Sequence, residues 1–383
     1  MYAGLVLGRI GGQMVAVALV LFVLARYHSP QLAGVTAFLT IFPGLVVSPL
    51  AGALLDRHGR TRLVVLDYAI AAVSVGLIGL LSAERLLPAP LLLAIVGVAS
   101  LTNPLSSTGA RSLFPVLAPP ALWERANALD SSSYVFSTLV GAPLAGALIG
   151  LIGPEWALAA AGLVFAAAAA VMLRLPEPAS SGGRDGSLLL NAWRALEYVL
   201  RNATLRGLAL TLSTFNLSWG ILLIAVPVLV LDRLHSGPAT VGLLWGALGA
   251  AGLVSALLAG RVPSQGRERQ LMFGAIVAST IAIALLPFAT SLAVVAVAVI
   301  VVGVANGPFD IALFTLRQRK TDPAWFGRAF AVSMSVNWVG QPVGSALAGP
   351  LIGWSLNGAL WVAVAISLVS AFLPLVAVPP SRD

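Results

Sequence analysis

The chain contains no cysteine, three histidines and one lysine, Lys320. Without cysteine there is no disulfide framework and no thiolate metal site. His28, His58 and His235 are far apart and lie in or near loops, a poor arrangement for a metal centre. Charge is scarce as well. Only 9% of the 383 residues are Asp, Glu, Lys or Arg, where a soluble domain carries about 25%. No glycine-rich loop ends in Lys-Ser or Lys-Thr, which argues against ATP-driven work by this chain. Nor does any other enzyme signature stand in usable form, so no catalytic residue, metal or cofactor is expected. The net charge of +8 is not gathered into a compact basic domain, which argues against nucleic acid as a partner.

What the chain has in abundance is apolar sequence. Hydrophobic residues make up 59% of it, in runs long enough to cross a bilayer. Twelve spans are expected: 3–25, 32–55, 63–82, 90–114, 127–150, 156–173, 207–230, 239–259, 271–288, 291–314, 328–350 and 355–378. Met1 lies against the first run with no basic leader or cleavage site, so that span reads as an uncleaved insertion signal. With both termini cytoplasmic, 18 of the 22 Lys and Arg fall in cytoplasmic loops and flanks. Such a bias sets orientation. The expectation is an all-α, multi-pass membrane protein.

The longest polar stretch, 174–206, opens Arg174-Leu-Pro176-Glu-Pro178 and continues rich in Ser and Gly. Its later part, Leu188 to Leu200, has the spacing of an amphipathic helix lying along the membrane. It separates an N-terminal six-helix unit, 1–173, from a C-terminal one, 207–383. The halves echo each other. Gly141-Ala-Pro143-Leu-Ala-Gly146-Ala-Leu-Ile-Gly150 in span five matches Gly340-Gln-Pro342-Val-Gly344-Ser-Ala-Leu-Ala-Gly349 in span eleven at five of ten positions. Asn103-Pro104 in span four likewise matches Asn306-Gly307-Pro308 in span ten. Two matches at equivalent places indicate a duplicated unit.

The loop between spans two and three reads Gly52-Ala-Leu-Leu-Asp56-Arg57-His-Gly59-Arg60-Thr-Arg62. It resembles the signature Gly-x-x-x-Asp-Arg-x-Gly-Arg-[Lys/Arg] of the major facilitator superfamily, departing only at Thr61. The likeness covers essentially the whole chain. Arg111-Ser-Leu-Phe-Pro115 and Glu124-Arg125-Ala-Asn127-Ala-Leu129 further resemble the branch of bacterial drug, macrolide and siderophore exporters. The family's exporter motif in span five is half kept. Pro143 and Gly146 agree, while Thr138, Ala142 and Ala147 replace glycines. The resemblance implies two pseudo-symmetric six-helix bundles around a cavity, with Gly52, Asp56, Arg57, Gly59 and Arg60 as a conformational switch. It also implies a small-molecule substrate and protons as the coupling ion. A monomer among membrane lipids is expected. Import or facilitated passage of a metabolite stays open as an alternative, as does a non-transporting receptor or scaffold.

Ionisable groups inside spans are costly and so draw attention. Arg9 and Gln13 share a helical face and are candidates for the cavity, with Arg9 either pairing with an acid, meeting an anionic substrate or snorkelling to water. Asp310, one turn after Asn306, is the first candidate for proton coupling, and Asp130 the second; a capped or paired role near Arg317 is the alternative for Asp310. Asp67 is expected near a helix end, within reach of water. Asn216, Trp219, Asn306, Asn337, Trp338 and Gln341 could line a substrate cavity or bond helix to helix. Gly141, Pro143, Gly146, Pro342 and Gly344 are assigned to close packing and bending.

Overall fold

The computed structural model describes residues 1–117, 123–177, 188–260, 265–322 and 325–379. These residues form helices and connecting turns. Eleven of the helical segments are long and apolar enough to cross a membrane. The first half runs α1 (Tyr2–Tyr27), α2 (Pro30–His58), α3 (Arg60–Ala83), α4 (Ala89–Ser100), α5 (Asn103–Leu117), α6 (Trp123–Ile152) and α7 (Pro154–Met172). After α8 (Leu188–Arg201) come α9 (Ala203–Val228), α10 (Pro238–Ala259), α11 (Glu268–Ile283), α12 (Leu292–Lys320), α13 (Phe326–Trp338), α14 (Gly340–Trp354) and α15 (Leu356–Val376).

Two expected spans are each a pair of helices. The fourth is α4 followed by α5, and the eleventh is α13 followed by α14. One cause serves both. Proline has no N–H to give the carbonyl four residues back, and its ring crowds that carbonyl. Pro104 therefore releases Ser100, where α4 ends, and Pro342 releases Trp338, where α13 ends. The ninth span is also interrupted: α11 stops at Ile283 and a single 3₁₀ turn, Leu286–Phe288, completes it.

Helix ends follow local chemistry. Asn202 caps α9, its side chain accepting from the amides of Thr204 and Leu205 at 3.0 and 3.1 Å. Ser355 caps α15 through Gly358 N at 3.2 Å. The first helix ends on His28 in the left-handed region, with φ 49°.

The chain divides into two compact units. The first comprises Met1–His28, Val35–Leu189 and Gly237–Leu243, and the second Ser29–Gly34, Leu190–Ser236 and Leu244–Asp383. Within the first, α7 packs against α1 and α3, and α6 against α1. Within the second, α9 packs against α14 and α15, and α11 against α12 and α15.

Apolar burial gives little drive to helix association in lipid, so close approach and polar contacts have to supply it. In the first unit a side chain at Gly146 would meet Pro238 O at 2.8 Å and Gly242 Cα at 2.9 Å. In the second, one at Gly344 would collide with Leu217, and its Cβ would stand 3.1 Å from Gly220 Cα. Hydroxyls stitch the second unit further: Ser218 donates to Ala363 O at 2.7 Å and Ser370 to Thr211 O at 2.9 Å.

Candidate functional site

The buried charges of the first unit converge between α1 and α6. Arg9 Nη2 lies 2.5 Å from Asp130 Oδ1, Nη1 donates to the Asp130 carbonyl at 2.7 Å, and Nη1 also donates to Ser133 Oγ. The guanidinium carbon sits 3.6 Å from the centre of the Tyr134 ring, an arrangement that adds cation–π attraction. Both charged side chains are nearly enclosed, at 12% and 11% exposure. Arg9 thus pairs with an acid instead of snorkelling to water. Tyr68 of α3 adjoins the cluster, within electrostatic range of Arg9 and Tyr134, and its ring fills the space beside Gly8. Gln13, one turn beyond Arg9, is half-buried, and a Cβ added at Gly141 of α6 would stand 2.6 Å from its Cβ, so the two helices meet closely there.

Asp67 does not reach water as its place in the sequence suggested. It is 2% exposed, facing Thr102 and Ser106 at the junction of α4 and α5.

The loop motif is tied down by a residue that the sequence did not single out. Glu177, just past α7, accepts from the amides of Arg60 (2.6 Å), Thr61 (3.3 Å) and Arg62 (2.9 Å). Those amides are the open N-terminus of α3, where a carboxylate is favoured by both hydrogen bonding and the helix dipole. The only sequence signal was an acid placed next to prolines after a span. Gly59 turns the chain into α3 with φ 98°, a conformation suited to glycine. Arg57 is exposed. The side chains of Asp56 and Arg111, and the surroundings of Gly52, lie outside the described residues.

The second unit joins its own first and fifth spans with uncharged groups. Asn216 Nδ2 donates to Asn337 O at 2.8 Å. Asn337 is fully buried and Gln341 is 9% exposed, and the side-chain oxygen of each lacks a hydrogen-bond partner among the described residues. Trp338 is exposed. Trp219 is half-buried, edge-on to Trp245 with 5.4 Å between ring centres, beside a void of about 10 Å³. That is room for about one water. Pro143 lies inside α6, Pro342 is buried, and Asn306 is half-buried on α12.

Asp310 stands apart. Its side chain is exposed on a membrane-spanning helix, and no ion pair or hydrogen bond engages it among the described residues. The alternative role, pairing with Arg317, is not realised among the described residues. Arg317 is instead buried against Met334, with Nη1 3.1 Å from the sulfur. On the same unit α10 and α12 enclose an apolar groove of about 610 Å³, lined by Ala250, Ala251, Val254, Leu258, Ile300 and Val304 among others. That volume falls in the range of small-molecule sites, roughly 300–1,000 Å³.

Comparison with known proteins bears on both units. The model of the Major Facilitator Superfamily matches residues 1–345. The uncharacterized MFS-type transporter y4rN of Sinorhizobium fredii (strain NBRC 101917 / NGR234) is 39% identical over 381 residues, covering 98% of this chain and 93% of the relative. The enterobactin exporter EntS of Citrobacter koseri (strain ATCC BAA-895 / CDC 4225-83 / SGSC4696) is 28% identical, covering 90% of this chain and 81% of the relative. Among solved structures, the nucleoside transporter NupG superposes with a TM-score of 0.77 at 13% identity, covering 98% of this chain and 97% of that one. This last likeness concerns the fold alone.

Proposed function

The chain belongs to the major facilitator superfamily, and from that premise we propose that it exports small amphiphilic compounds by alternating access, driven by proton entry. In this reading it works in a bacterial plasma membrane with both termini cytoplasmic. Asp310 carries the argument. A carboxylate on a spanning helix, exposed yet engaged by no described cation, calls for a mobile positive charge. Either a proton or the cationic group of a substrate supplies it. Two ligands competing for one carboxylate cannot be bound together, and that exclusion is the thermodynamic basis of antiport.

The apolar groove between α10 and α12 supports an amphiphilic cargo, because its walls recognise area more than pattern. Export is supported by the enterobactin exporter among the relatives. Asn216, Trp219, Asn306, Asn337, Trp338 and Gln341 would bound the substrate path in the second unit, and Arg9 and Gln13 in the first. The Gly52–Arg60 loop would reset the conformation. Gly141, Gly146 and Gly344 would let neighbouring helices slide at short range, with Pro143 and Pro342 as the bends.

Reconstitution into liposomes tests the reading. With an imposed pH gradient, wild type should move ethidium or a catecholate chelator against its own gradient, and Asp310→Asn should abolish the dependence on pH. Movement indifferent to the gradient in wild type would replace antiport with facilitated passage.

A further inference from the structure

Asp67 is a buried acid that the transport reading leaves without a task. It lies in α3 at 2% exposure, and its Oδ1 has no hydrogen-bond partner among the described residues. Its carboxyl faces the hydroxyls of Thr102 and Ser106. These flank the place where Pro104 breaks the fourth span into α4 and α5.

Among the described side chains, no cation pairs with it. Of the helices packed against α3, α7 carries one acid, Glu155, which accepts from Ser82 at the far end. The α4 helix carries no charge, and on α5 the one charge is Arg111, whose side chain lies outside the described residues. From α1, Arg9 is committed to Asp130. On α3 itself Tyr68 adjoins Asp67 and Arg9, while Arg60 and Arg62 stand at the helix start.

The bonds the two hydroxyls already make bear on the protonation state. A hydroxyl has one proton to donate. Thr102 Oγ1 gives its proton to Ala99 O at 2.9 Å, and Ser106 Oγ gives its own to Asn103 O at 3.3 Å. What the two hydroxyls then offer Asp67 is lone pairs. While those bonds hold, neither hydroxyl has a proton left for an ionised carboxylate, a heavy cost in an apolar interior. A protonated carboxyl carries no charge and brings its own donor, which lessens that cost.

We propose that Asp67 is a proton-binding group that carries a proton in this conformation, and that the break between α4 and α5 responds to its loss. Ionisation turns the Thr102 and Ser106 hydroxyls toward the carboxylate and withdraws them from Ala99 O and Asn103 O. The carbonyls they leave lie at the break, which is braced against α2: Asn103 Nδ2 donates to Thr40 O at 3.2 Å, and Gly44 packs on the Ser100 carbonyl. The same α2 ends in the Gly52–Arg60 loop. Proton loss at Asp67 is thereby transmitted along α2 to the conformational switch. The inference deepens the proton-driven reading above and rests on it for the proton's use in transport, though not for its binding.

Infrared difference spectroscopy of the full chain in lipid nanodiscs tests this. A protonated carboxylic acid has its own C=O stretching band. The band should be lost from wild type on alkalinisation, be absent from Asp67→Asn, and persist in Asp310→Asn. Should Asp67→Asn fail to fold, the double substitution T102V/S106A keeps the acid and is expected to shift the band. Hydrogen exchange of residues 101–106 should loosen with the band's loss in wild type, beyond the intrinsic pH effect.

A band that never titrates, or one unchanged in both sets of variants, overturns the proposal. So does a band removed by sodium at constant pH, which would mark a metal-cation site. A titrating band without gradient-driven transport in liposomes would remove the antiport reading and leave Asp67 as a proton site. Gradient-driven transport with no titrating band would remove Asp67 alone.

Discussion

The Arg9 guanidinium and the Asp130 carboxylate meet at 2.5 Å across 121 positions of sequence, joining the first and fifth spans of the N-terminal unit. The second unit joins the corresponding helices by the Asn216–Asn337 bond, without charge. The two halves thus share a plan and differ in its chemistry. Removing one member of a buried pair leaves the other charge uncompensated, at a cost of about 3–5 kcal/mol. Arg9→Gln and Asp130→Asn should each lower the unfolding temperature of the purified protein. The double variant R9Q/D130N should recover much of the loss. Additive losses would mean that the pair contributes little as a pair.

Glu177 gives a smaller and more local effect. Its carboxylate serves three amides at the start of α3, and losing a cap costs roughly 1 kcal/mol. Glu177→Ala should lose about that much stability and speed hydrogen exchange at Arg60, Thr61 and Arg62, leaving exchange in α9 unchanged. Unaltered exchange at those three amides would dismiss the cap.

Close packing separates glycines that look alike in sequence. A Cβ at Gly344 would run into the Leu217 backbone, whereas one at Gly12 meets nothing within 4 Å. Gly344→Ala should therefore cost about 1–3 kcal/mol through overpacking. Gly12→Ala should be neutral or slightly stabilising, since alanine favours helix by up to about 1 kcal/mol. Thermal unfolding of the two variants side by side reads the difference.

Legibility followed sequence distance. The spans could be read because each is a local property of some twenty residues, and the kinship of the halves because Gly141–Gly150 and Gly340–Gly349 repeat a pattern. Pro104 and Pro342 announced bending, but a proline does not say whether its helix kinks or stops. Pro143 and Pro308 sit inside unbroken helices. Arg9 and Asp130 were each conspicuous as charges in apolar runs, yet nothing local could pair residues so far apart. Glu177 was hidden for the same reason, since its partners are backbone amides more than a hundred positions away. Asp67 was misplaced because distance from a helix end predicts exposure only when no neighbour covers it; here it is enclosed, facing Thr102 and Ser106.

The account turns on proton and substrate competing at Asp310, and proton release on binding measures that competition most directly. Purified protein in weakly buffered detergent solution, with a pH indicator, is titrated with ethidium. Wild type should release protons in step with binding, and Asp310→Asn should release fewer. Saturable binding by wild type with no proton released would contradict the account.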